Sequence, residues 1–410
     1  MVSNLQLTKT KTGTGFSQNE NSYEAGAELA MKALGNNELD EHTMFLLFAS
    51  PHHDAELLMD GLRSVIGNKP VIIGGTTIGI LTNDFLSYTG AMAGGAFLSS
   101  ENSFFRVFTE ENIKDREFDA GCNLARKMTA ANAGDDNALL LFYDSVKFTA
   151  NEGNFMFHLA VPLLEGMYGE LQHWPVVAGV GVMGDMSLTH ACAIWINEKI
   201  MRHGLAAVTI NGPLKVDTVV LSGTRPASGY HLITKAVDNI IYELDGKPAL
   251  EVIDGILGGS MSWDEYPLFI TLGVNNGDKF EEYQQENYSN RFCLGIDKEQ
   301  KSMIMVETDL RQGQEVQLMR RDFDFAYIEP EISKLFSKIG DRKPVFAYYI
   351  DCVGRVSAYS GMAEEESLEV IRLIRNVPCF GIFSGVEITN IKNNVKPLDW
   401  TGVLCVFSEE

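Results

Sequence analysis

The chain has 410 residues, length for two or three domains with a buried core. Hydrophobic residues make up 45% and charged residues 21%, the proportions of a folded protein, which excludes disordered, collagen-like and coiled-coil chains. Lysine and arginine number 33 against 55 acidic residues, a net charge of −22, so nucleic acid and anionic membrane surfaces are not expected partners.

Residues 1–22 are polar, lack an apolar core and read as a flexible leader without a secretory signal. No window of 18 uninterrupted apolar residues follows, so no membrane span is expected. Six single cysteines with no CxxC pair fit reduced thiols, which points to a cytoplasmic protein.

Beyond the leader one unit recurs: an apolar strand, an amphipathic helix, then a strand that opens on proline and closes in glycines. In the first copy residues 44–48 (MFLLF) form a continuous apolar run suited to a buried strand. Ser50 and Pro51 offer a helix start. Leu58, Leu62, Val65 and Ile66 follow at helical spacing, and residues 70–79 (PVIIGGTTIG) close the unit. The second copy has its strand at 138–142 (ALLLF), a helix over about 154–165 disturbed at Pro162, and a closing strand at 175–185. The third has its strand at 344–350 (PVFAYYI), a helix over about 363–375 with acids first and arginines last, and a closing strand at 378–387. Between the second and third copies, residues 216–221, 230–235 and 239–244 alternate as strands and 247–257 reads as a helix. The fold class is therefore α/β, with mixed sheets built from repeated strand-helix-strand units in two domains, 23–222 and 223–410.

These stretches resemble the FIST family, in which a FIST N domain precedes a FIST C domain. The resemblance rests on Ile73-Gly74-Gly75-Thr76-Thr77-Ile78-Gly79, on residues 175–185, on residues 239–249 (NIIYELDGKPA), and on Cys352-Val353-Gly354-Arg355 at a strand end. Two departures stand near the last element. Gly385-Val386-Glu387-Ile388 carries one residue more than the usual Gly-Glu-Ile, and Asp399-Trp400-Thr401 replaces Asn-x-Thr. The resemblance implies a bacterial-type sensory module that binds a small molecule such as an amino acid, signals through a partner and is no enzyme. Some members bind haem and report nitric oxide to a histidine kinase, so haem and a histidine kinase are the alternative cofactor and partner. A homo-oligomer is compatible with both.

The site expected from the residues centres on Arg355, whose planar fork of five donors suits a carboxylate beyond a strand end. Gly354 admits a ligand close to the backbone. Glu387, beside Ser384, or Asp351 would oppose an amine. The structural alternative is that Arg355 merely pins Asp351 or Glu387. Thr76, Thr77 and Gly79 offer hydrogen bonds in the first glycine loop, though tight turns or bulges are the commoner use of such residues. Cys352 beside Arg355 is a candidate nucleophile for a cysteine-dependent hydrolase, with a packing role as the simpler reading. His52 and His53 are adjacent and point apart, so no metal is expected there. His158, His173, His190, His203 and His231 are the axial candidates for a haem. Trp263, Tyr266 and Trp400 are candidate walls of an apolar pocket.

Overall fold

The computed structural model describes residues 10–134, 136–153, 155–267, 269–322 and 324–410. In the first unit the apolar run is the strand Thr43–Ala49, buried throughout. The helix Ala55–Ile66 is capped by Asp54, which accepts the Leu57 N–H at 3.0 Å, rather than starting at Ser50 and Pro51. Val71–Thr76 then returns parallel to Thr43–Ala49. The second unit sets Ala138–Asp144 beside Val176–Val182 in the same sense, and the third sets Lys343–Cys352 beside Cys379–Ser384.

Each parallel pair is the centre of a six-stranded sheet of one plan. On one side lies a long antiparallel strand, Ala93–Ser100, Leu205–Asn211 or Gly402–Glu409. Outside it runs Thr10–Ser17, Phe104–Glu110 or Lys215–Leu221. On the other side the hairpins are exchanged. Gly79–Thr82 leaves the first unit to pair with Cys379–Ser384 of the third. Ile194–Ile196 leaves the second for Val71–Thr76 of the first, and Val386–Ile391 leaves the third for Val176–Val182 of the second. The exchange is cyclic, so each sheet needs a strand from a neighbouring unit.

Side-chain alternation decides what the sheets enclose. Met44, Leu46 and Phe48 share one central core with Leu140, Phe142, Tyr348 and Ile350. Phe45 and Leu47 face the helices of the first unit, and Leu139 and Leu141 face those of the second. The result is a three-sided prism with helices outside. In the first two units the helices approach through paired glycines. A Cβ on Gly26 would meet the Leu58 carbonyl and one on Gly61 that of Tyr23; Gly121 and Gly166 repeat this against Leu163 and Phe118.

Between Lys215–Leu221 and the helix Ile328–Ile339 of the third unit, a second body is inserted. His231–Val237, Ile240–Leu244, Ser302–Met305, Tyr288–Asp297, Thr271–Asn275 and Glu315–Arg321 pair in that order, and the last pairs back with the first, closing an antiparallel barrel. Its core is Ile233, Leu244, Met303 and Leu318, sealed by Leu250 and Ile253 from the helix Ala249–Leu257. The step at 222 and 223 is where the chain leaves the prism for the barrel, and from the helix Ile328–Ile339 it is back in the prism.

Three expectations change. Residues 1–9 of the expected leader lie outside the described residues, but Thr10–Ser17 is an edge strand paired along its length with Ala93–Ser100, and Ser22 already opens a helix capped by Asn21. The second-unit helix is Ala160–Leu171; Asn154, where it was expected to begin, lies outside the described residues. Pro162 sits in its first turn, where no backbone N–H is required. The third-unit helix is shortened to Glu366–Leu373. Among the described residues no helix is long and apolar enough to cross a membrane.

Candidate ligand-binding site

A cavity of about 280 Å³ opens where the second unit, the third unit and the barrel meet. Cys352, Val353 and Gly354 continue the strand Lys343–Cys352 into its floor, and Gly385 and Val386 follow the end of Cys379–Ser384. The barrel contributes Phe292, Leu294 and Val306, and the second unit Phe155, Phe157, Met183 and Leu188. Trp400 and Tyr359 complete an apolar enclosure of the kind that holds small molecules by desolvation. Gly354 is glycine for a reason of space: a Cβ would stand 2.5 Å from the Trp400 indole nitrogen. The Trp400 ring in turn packs on Phe292, centroids 5.3 Å apart, linking prism and barrel across the cavity.

Few polar groups reach this enclosure. Asp399 lines it, and one of its carboxylate oxygens, Oδ2, accepts the Phe292 N–H at 2.9 Å. Among the described residues no donor reaches its other oxygen. Burial raises this carboxyl to about 6 against the pull of Arg291. Glu387 lies fully buried behind Gly385 and Val386. Its Oε1 accepts the Ser384 hydroxyl at 2.6 Å, while Oε2 has no partner. Burial drives this carboxyl well above its ordinary range, and Asp351 and Asp399 add to the rise. The Cys352 thiol is also pushed well up, by burial and then by Glu387. A thiol so disfavoured as thiolate is a wall of the cavity and an unactivated nucleophile.

The structure corrects the role expected for Arg355. Its side chain is fully buried and does not line the cavity, and Nη1 and Nη2 are hydrogen-bonded within the protein while Nε makes only an ion-pair contact. Nε faces Asp351 Oδ1 at 2.9 Å and Nη2 faces Glu366 Oε1 at 2.9 Å. Nη2 also donates to the Tyr327 hydroxyl at 2.9 Å, and Nη1 donates to the carbonyls of Leu221, Ser222 and Trp400. Glu366 is held from its other side by Arg321. The guanidinium is buried outside the cavity lining and so is not placed to take a ligand carboxylate there, and Asp351 is its buried ion-pair partner. The guanidinium is a cross-link at the point where the chain leaves the prism, and removing it would strand Asp351 in the interior and leave Glu366 to Arg321 alone.

Other expected residues disperse. Thr77 donates to the Phe383 carbonyl at 2.8 Å and to that of Gly79 at 2.9 Å, stapling the exchanged hairpin. Thr76 accepts the Ala193 N–H at 3.3 Å. Thr76, Thr77 and Gly79 thus serve the first sheet's junctions and do not line the cavity. Ser384 is occupied by Glu387. Tyr266 belongs to the barrel core with Trp263 packed beside it, and of the three aromatic candidates Trp400 alone is a wall. The sequence reading missed Phe155, Phe157, Phe292 and Asp399. Asp399 stands at one of the departures from the family pattern, a signal for the site that was present in the sequence.

No histidine lines the cavity, and the buried Cys352 resists becoming a thiolate, so neither histidine nor cysteine offers a haem an axial ligand there. His158, His190, His203 and His231 are each hydrogen-bonded elsewhere, and His173 also has a partner. Among the described residues no group of three or more His, Cys, Asp or Glu is arranged to hold a metal ion.

An α/β scaffold whose strand ends open into one small apolar hollow under a second domain is the form of a ligand-binding module. The chain belongs to the FIST family: residues 43–247 match the FIST N domain and residues 249–390 the FIST C domain. FIST domains are small-ligand sensory domains of signal transduction. Uncharacterized proteins of Mycobacterium bovis and Mycobacterium tuberculosis are 25% identical over 242 residues, 57% of this chain and 60% of theirs. Another uncharacterized Mycobacterium tuberculosis protein is 25% identical over 238 residues, 57% of this chain and 59% of its own. The chain thus matches only about 60% of the length of these relatives. A PurLQS structure from Thermotoga maritima, 10% identical, covers 98% of this chain and 72% of its own at a TM-score of 0.22, which is no likeness of fold.

Proposed function

We propose that this protein is a sensor of a small, largely apolar metabolite that carries an amine, held in the cavity with its nitrogen on Asp399. The observation that carries this is a carboxyl set in an apolar wall with one oxygen unclaimed. An acid in that setting is poised to accept a charge-assisted hydrogen bond from a ligand. The rest of the wall offers rings and methyls, which favour a ring-sized apolar body. An amino acid satisfies the amine half of this specification, but its carboxylate has no cationic partner, because Arg355 is buried outside the cavity and no lysine or arginine lines it.

Occupancy is then reported through the barrel to a partner protein. Asp399 holds the barrel strand by the Phe292 N–H, and next to it Arg291 donates to the Pro397 carbonyl at 2.7 Å. A cation arriving on Asp399 changes the charge at this junction, and the prism-barrel arrangement it favours becomes more populated. The test uses a thermal-shift assay with phenethylamine, related primary amines and phenylacetate. The amines should raise Tm, phenylacetate should not, and Asp399→Asn should abolish the amine effect. A shift from phenylacetate alone, or from none of the amines, overturns the proposal.

A further inference from the structure

A chain of three side chains in the second unit takes no part in the ligand cavity. Glu117 Oε1 lies 2.9 Å from His158 Nδ1, and His158 Nε2 lies 2.9 Å from His203 Nδ1. The protons follow from what each group can do. A carboxylate only accepts, so His158 donates from Nδ1 to Glu117. With one proton on each ring, His158 Nε2 is then an acceptor, His203 donates to it from Nδ1, and His203 Nε2 is left with a bare lone pair. Among the described residues no protein group bonds that nitrogen, and it is not one of the buried orphan atoms. The His203 side chain is 21% exposed, whereas that of His158 is fully buried.

The ring is held rigidly. Asp144 Oδ2 accepts the His203 N–H at 2.7 Å, and the His203 carbonyl accepts the Ile113 N–H at 2.9 Å. Together they fix a left-handed backbone, φ 50°. The groups acting on the ring are the cations Lys114 and Arg202, the partner His158 and the acids Glu152 and Asp144. Burial, then His158, Arg202 and Lys114, hold the imidazole down at about 4, so it is uncharged at neutral pH.

We infer that His203 Nε2 is a phosphoryl-accepting nitrogen, a modification site supplied by a donor of the phosphoramidate or acyl-phosphate class. A neutral lone pair with no protein partner, on a part-exposed ring, is the nucleophile such a transfer needs, and the cations Lys114 and Arg202 suit the phosphoryl oxygens in a chain that is otherwise strongly acidic. The lone pair attacks phosphorus. The N–P bond forms as the donor's P–N or P–O bond breaks, and the leaving amine or carboxylate keeps the electron pair. The Nδ1 proton stays on His203, and the positive charge gained by the ring is shared through His158 with Glu117, which acts as a positioning residue.

The test is incubation of the full chain with potassium phosphoramidate, followed by phosphopeptide mapping and phosphorus NMR. The label should concentrate on His203 as the Nε2 isomer alone. Glu117→Gln should slow labelling about 10-fold and yield a mixture of ring isomers, an outcome that a merely structural acid would not cause. His203→Asn, a residue suited to the left-handed backbone, should lose the label and keep its melting transition. Equal labelling of exposed histidines such as His52 and His190, the Nδ1 isomer at His203, or no label at all overturns the inference. If His203→Asn fails to fold, the mapping and isomer on the unaltered chain decide the question alone.

Discussion

The first and third units share a topology and differ in what lies at their strand ends. After Val71–Thr76 the first unit is shut: Thr77 ties Phe383 and Gly79, and the exchanged hairpin packs over the junction. After Cys379–Ser384 the third unit is open, because Gly385, Gly354 and Cys352 are small and the inserted barrel roofs the space with Phe292. The repeat thus builds the scaffold three times and the site once. What distinguishes the site is the insertion above it and the small residues below.

The largest effect should come from the cross-link beneath that open end. Arg355→Ala leaves Asp351 buried without its ion-pair partner and Glu366 with Arg321 alone, and should cost about 3–5 kcal/mol, read as a fall in the urea midpoint. A variant as stable as the parent, with only ligand binding impaired, would restore Arg355 to the site. Next is Gly354→Ala, whose Cβ would have to displace Trp400. About 1–3 kcal/mol of overpacking and a change in tryptophan fluorescence are expected, and an unchanged spectrum would count against the packing described.

Asp399→Asn should leave the fold intact and weaken amine binding by about 1.5–3 kcal/mol, the loss of one charged hydrogen bond. Amine affinity in the unaltered chain should also fall as pH drops below about 6, where Asp399 gains a proton. Calorimetric titration across that range checks both.

A pH dependence marks the opposite junction of the barrel. Glu307 accepts the Ala160 and Val161 N–H groups at a helix start, at 2.8 and 3.1 Å. Burial lifts it from 4.5 to about 8, against the pull of Arg291. The folded chain therefore holds a proton that the unfolded chain releases, and stability should fall as pH rises from 4.5 through about 8. Glu366, raised to about 7, and Asp144, raised to about 6, act in the same direction. Glu307→Gln should flatten the part of that slope between pH 6 and 8, followed by denaturant midpoints. The smallest effect belongs to the exposed pair Lys279 and Glu315, 2.7 Å apart, where Lys279→Ala should change stability by less than about 1 kcal/mol.

The repeated units were legible in the sequence because each buried strand is a continuous apolar run and each helix keeps its spacing. Their cyclic exchange was not, since a four-residue strand such as Gly79–Thr82 carries no local mark of the partner it will meet about 300 residues later. The site was half legible. Cys352 and Gly354 were singled out by the strand end, and Trp400 by its ring. The sequence left Arg355 open between a ligand and a pin on Asp351, because a guanidinium at a strand end looks the same whether it awaits a ligand or meets Asp351, Glu366 and Tyr327. Phe155, Phe157 and Phe292 come from three separate stretches, and only the docking of the barrel brings them to one wall.

The most direct measurement is a crystal structure of the protein grown with phenethylamine at neutral pH. Density is expected between Trp400 and Phe292, with the amine nitrogen within hydrogen-bonding distance of Asp399. Density for the amine elsewhere on the molecule, with this hollow filled only by solvent, would contradict it.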